Sequence, residues 1–82
     1  MKDIHPDLKR AEELIDNREY EEAHNLLDSH LKEYPDNALA WLMQGDLADI
    51  EGNNKQAITF YRKYLEFDPD NVGVMVLLGD YL

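Results

Sequence analysis

No cysteine occurs among the 82 residues, which excludes a disulfide framework, a thiolate zinc site and a cysteine nucleophile. Stability must therefore come from packing or from association, because a chain this short buries only about 60% of its unfolded surface. Basic residues are scarce as well: 8 Lys and Arg face 18 Asp and Glu, for a formal net charge of −10. That balance repels phosphate backbones and anionic headgroups, so neither a nucleic acid nor a membrane surface is expected as a partner. A neutral or cationic protein is. Long apolar runs are lacking too, and residues 74–78 fall far short of the roughly 20 needed to span a bilayer. Residues 1–10 carry acids and a proline in place of the apolar stretch of a secretory signal, so a cytoplasmic location is expected.

Groups able to do chemistry are few: one Ser, one Thr and three His. Ser29 and His30 are adjacent, and adjacent residues of a helix do not face each other. His24 and His30 are six apart and miss the spacing of two metal ligands on one helix face. His30 falls in an apolar stripe and reads as a core residue. Gly45, Gly52, Gly73 and Gly79 are scattered and form no phosphate-binding loop, and the acids do not follow a calcium-loop pattern. The chain is expected to be noncatalytic, with no cofactor and no metal.

What is present is helical spacing. Pro6 suits a first helical turn, and Leu8, Ala11, Leu14 and Ile15 follow on one face. After Asn17-Arg18 a second helix carries Tyr20, Ala23, Leu27, His30, Leu31 and Tyr34, ending where Pro35 forces its predecessor out of helical geometry. Asp36-Asn37 can cap a third, with Ala38, Trp41, Gly45 and Ala48 on one face and a stop at Gly52. Asn53-Asn54 restarts the chain into a fourth, with Ala57, Ile58, Tyr61, Tyr64 and Leu65, closed near Pro69. Residues 72–82 form a fifth segment. No stretch alternates with period two, so the class is all-α.

Offset by 34 residues, the chain aligns Leu8 with Leu42, Ala23 with Ala57, Leu31 with Leu65, Gly45 with Gly79 and Asp46 with Asp80. Pro35-Asp36-Asn37 likewise falls on Pro69-Asp70-Asn71. Small residues where helices approach closely and a repeated joint between units are positions set by geometry. With Trp41, Gly45, Ala57, Tyr61 and Pro69 at motif positions, the sequence resembles the tetratricopeptide repeat family, although Gln44 and Ala48 replace the usual Leu and Tyr. The first unit keeps Ala11, Leu14, Tyr20, Ala23, Leu27 and Pro35, and the third keeps Met75, Leu78, Gly79 and Leu82. His30 and Tyr64 stand where the family usually has Ala, which predicts a wider angle between units. The resemblance implies a single all-α domain over residues 1–82, a right-handed array of helical hairpins with units at about 4–37 and 38–71 and an extra helix at 72–82.

In that family the first helices of successive units line a concave groove for a peptide. The resemblance places Glu12, Asp46 and Asp80 in one row and Leu8, Leu42 and Val76 in the next, with Asp16 and Asp49 near the floor or rim. An acidic row beside an apolar one should attract a segment bearing Lys or Arg among apolar anchors. Some relatives clamp acidic tails here with Lys, Arg and Asn. The matching positions, Leu8, Glu12, Met43, Gly73 and Leu77, cannot hold a carboxylate. The rival role is self-assembly: Val74, Met75, Leu78, Tyr81 and Leu82 leave an apolar face that either a further repeat or a second copy would cover.

Overall fold

The computed structural model describes residues 5–70, and those residues form four helices: α1 (Pro6–Asp16), α2 (Tyr20–Glu33), α3 (Ala38–Ile50) and α4 (Asn54–Phe67). No strand occurs among them. The fifth segment, with Gly73, Val74, Met75, Val76, Leu77, Leu78, Asp80, Tyr81 and Leu82, lies outside the described residues. α2 and α4 begin at Tyr20 and Asn54 and end at Glu33 and Phe67, 34 residues apart at both ends. The period read from identities is thus the period of these two helices, and α1 and α3 share it at their ends, Asp16 and Ile50, but not at their starts.

Each helix ends for a local reason. Pro6 occupies the first turn of α1, and the His5 Nδ1 accepts the Asp7 N–H at 3.1 Å as a side-chain cap. Asn53 caps α4 in the same way, its Oδ1 accepting the Gln56 N–H at 3.3 Å. Asn37 precedes α3 but makes no side-chain cap, because its amide is turned onto the His30 ring at 2.9 Å. Pro35 and Pro69 follow the last turns of α2 and α4, where a missing N–H stops the helix.

The turns inside the two hairpins are the same object. In the first, the Glu19 N–H reaches the Leu14 carbonyl at 2.8 Å and the Arg18 N–H the Ile15 carbonyl at 3.0 Å. In the second, Asn53 reaches Ala48 at 2.8 Å and Gly52 reaches Asp49 at 3.0 Å. This paired closure needs a left-handed residue after the helix. Gly52 supplies it at φ 77°, while Arg18 is held at φ 63°, a conformation that crowds its Cβ. Arg18→Gly is therefore expected to stabilise the fold by about 0.5–1 kcal/mol, the strain relieved less the entropy of a glycine. A melting temperature that falls on this substitution contradicts the reading.

Two apolar clusters hold the hairpins together. Leu8, Ala11 and Leu14 of α1 meet Ala23, Leu27 and Leu31 of α2 and Ala40 and Leu47 of α3. Ala48 of α3 meets Ala57, Tyr61 and Tyr64 of α4. Trp41, half-buried, touches both clusters and donates its indole N–H to the Pro35 carbonyl at 2.9 Å. Alanines 11, 23, 40, 48 and 57 are fully buried, which lets neighbouring helices close on one another. Gly45 takes this furthest: the Tyr61 ring lies where a Cβ at residue 45 would be.

Candidate interaction cleft

The face shared by α1 and α3 carries a cleft of about 490 Å³. Leu8, Glu12 and Ile15 of α1 line one side at helical spacing i, i+4 and i+7. Leu39, Met43, Asp46, Asp49 and Ile50 of α3 line the other. Leu8 is buried and belongs to the floor, whereas Leu39 and Ile50 are 38% and 52% exposed. The result is an apolar trough with three carboxylates along it.

Of the residues expected in the groove, Leu8, Glu12, Asp46 and Asp49 are brought together. Leu42 is not. It is half-buried and packs against the cluster of Ala48, Ala57, Tyr61 and Tyr64, while Met43, one position on and about 100° around the helix, takes the place in the cleft. Asp16 is exposed and does not line the cleft. Val76 and Asp80 lie outside the described residues. Ile15, Leu39 and Ile50 are not among the residues expected in the groove, and Met43 is expected there only as the counterpart of a clamp residue, not as an apolar anchor. For Leu39 and Met43 the signal is hidden, because residues 38–43 are all apolar and such a run does not tell one helix face from another.

Asp46 joins the cleft to the core. Its Oδ1 accepts the Tyr61 hydroxyl at 2.9 Å, tying α3 to α4. Its pKa is raised above the ordinary value, chiefly by burial and further by the Asp49 charge, while the Tyr61 hydrogen bond pulls it down. The folded state therefore binds this proton more tightly than the unfolded chain. That contribution to stability is complete below the unfolded value and is lost as pH rises through the folded one. When ionised, the carboxylate carries the cost of its burial in the cleft wall, which a neighbouring cation would relieve.

Behind the cleft, the Gln44 that replaces the family's Leu is fully buried and fully used. Its amide N–H donates to Asp28 at 2.7 Å and its carbonyl faces the His24 Nδ1 at 2.7 Å. The other His24 nitrogen meets the Glu51 carboxylate. Among the described residues no buried side-chain nitrogen or oxygen lacks a partner, so this polar substitution sits in the interior without an orphaned group.

A second polar cluster lies at the start of α1. His30, 2% exposed as its place in the apolar stripe predicts, faces the Asp7 carboxylate through Nδ1 at 3.0 Å and the Asn37 amide through Nε2 at 2.9 Å. The His5 ring stands edge-on to it with centroids 4.6 Å apart, and Tyr34 closes the group at 4.9 Å from His30. Spacing along one helix does not reveal this cluster, since its members come from the start of α1, from the end of α2 and from the residue before α3. Ser29, next to His30 in sequence, points to solvent.

A family model described as tetratricopeptide repeat matches residues 8–72. The chain is also similar to the probable biofilm formation methyltransferase WspC of Pseudomonas putida, with 34% identity over 62 residues. The match covers 76% of this chain but only 15% of that relative. No helix among the described residues is long and apolar enough to cross a membrane.

Proposed function

The chain belongs to the tetratricopeptide repeat family, whose repeats generally mediate protein–protein contacts, and from that premise we propose that it is a noncatalytic module binding a basic, amphipathic segment in the α1–α3 cleft. The observation that carries this reading is the composition of the cleft. Leu39, Met43, Ile50 and Ile15 offer apolar anchorage, and Glu12, Asp46 and Asp49 set negative charge beside it. A volume of about 490 Å³ suits a few side chains rather than a whole domain, as expected for a short linear segment. Charge of one sign along such a trough favours Lys or Arg, steers their approach and disfavours acidic competitors.

Glu12 is the residue on which to test this. It is exposed on the cleft, whereas Asp46 also anchors Tyr61 and cannot be reversed without disturbing the core. Glu12→Lys is expected to weaken a Lys-bearing amphipathic peptide about tenfold, since one exposed pair contributes up to about 1 kcal/mol and reversal turns attraction into repulsion. Raising salt should lower wild-type affinity, and lower that of the variant less, because Asp46 and Asp49 still line the cleft. Glu33→Lys, on the exposed side of α2, serves as the control and should bind like wild type. Calorimetric titration that shows affinity indifferent both to salt and to Glu12→Lys would sink the proposal.

A further inference from the structure

We propose that His5, Asp7 and His30 form a binding site for a divalent transition metal ion of the zinc class, separate from the α1–α3 cleft. One ligand atom from each of the three lies within 4.8 Å of the others. The Asp7 Oδ2 is 3.0 Å from the His30 Nδ1 and 3.6 Å from the His5 Nδ1. Zinc bonds of 2.0–2.1 Å at tetrahedral angles place neighbouring ligand atoms about 3.3–3.4 Å apart, so the two measured edges bracket the required length. Two imidazoles and one carboxylate are the ligand types that this class of ion takes. Calcium or magnesium, which need six or more oxygens or several retained waters, do not suit the set.

The surroundings fit as well. The His30 side chain is wholly buried and fixed, while those of His5 and Asp7 are 35% and 38% exposed, which leaves an open side for entry and for a water as fourth ligand. Asn37 stands on the far nitrogen of His30. When Nδ1 binds the ion, the ring's proton moves to Nε2, and the Asn37 amide turns its carbonyl to accept that proton. This is the outer-shell partner that orients a ligating histidine. Binding exchanges the Asp7 hydrogen bond of His30 and the His5 cap of the Asp7 N–H for metal bonds. The Asp7 charge and the −10 of the whole chain offset the partial positive charge at the start of α1.

The test is titration of the untagged chain with cobalt(II) and then zinc. One equivalent of cobalt is expected to give the intense visible bands of a four-coordinate N/O site, and zinc to bleach them. His5→Ala and Asp7→Asn, whose side chains are not part of the core, should each reduce affinity by more than the roughly 10–100-fold that outer-shell changes produce. His24→Ala should leave it unchanged. Nitrogen NMR of His30 is expected to report a proton moving from Nδ1 to Nε2 on zinc addition, which a purely structural histidine would not show. An absence of stoichiometric cobalt uptake, uptake that survives His5→Ala and Asp7→Asn, or uptake lost instead in His24→Ala would each overturn the assignment.

Discussion

Tyr61→Ala is expected to destabilise the domain by about 3–5 kcal/mol, as removal of a buried aromatic ring does when the site cannot collapse. Tyr61 is fully buried among Ala48, Ala57 and Tyr64, with its ring on the Gly45 backbone and its hydroxyl on Asp46. Alanines already occupy the neighbouring positions, so little side-chain mass is at hand to fill the cavity. A small domain has a stability of only about 5–15 kcal/mol, and at about 4–8 °C per kcal/mol the melting temperature should fall by at least about 12 °C. Tyr61→Phe keeps the ring and isolates the hydroxyl: its cost should be about 1 kcal/mol, and the Asp46 pKa should rise further without the hydrogen bond that lowers it. A loss below about 1 kcal/mol for Tyr61→Ala in urea unfolding would show that the ring does not hold α3 to α4.

Gly45→Ala is expected to lower stability although alanine is the better helix former. A Cβ at residue 45 would stand 2.5 and 2.6 Å from Cε1 and Cδ1 of Tyr61 and 3.2 Å from its Cζ. The ring cannot slide away freely, because its hydroxyl is tied to Asp46, the next residue on the same helix. Overpacking of this kind costs about 1–3 kcal/mol, against which the helix preference of alanine returns about 1. The two substitutions should therefore couple. With Tyr61 already cut to alanine, Gly45→Ala should be neutral or stabilising, and the double-mutant cycle should show an interaction of about 1–3 kcal/mol. Simple additivity across the cycle would mean that the two residues do not touch.

Much of the framework could be read from local signals. Pro6, Pro35, Gly52 and Pro69 punctuate the helices because each either lacks an N–H or tolerates a left-handed backbone, and these are properties of one residue at a time. The match between α2 and α4 at both ends shows that the 34-residue offset tracked structure and not chance identity. Arg18 was harder: in sequence it is an ordinary turn residue, and only its alignment with Gly52 and the shared pattern of turn hydrogen bonds show that it carries a glycine's conformation. Asn37 was legible as a helix start but not in its side-chain role, since the His30 ring competes with the backbone for its amide.

For the cleft, a row of acids at a fixed period located Glu12 and Asp46, because one unit of the repeat maps a residue onto its equivalent in the next. The same rule put Leu42 in the apolar row, and packing placed Met43 there instead, since α3 is apolar on several sides and its rotation is set by what α2 and α4 bury. The amino-acid sequence alone determined the four described helices, through start and stop signals that act one residue at a time, and the family, through motif residues that recur along the chain. Tertiary structure alone decided which face of α3 meets the cleft, that Tyr61 lies on Gly45, and that His5, Asp7 and His30 converge. These depend on contacts between residues far apart in the chain, such as His5 and His30, 25 positions apart, for which no local spacing rule exists.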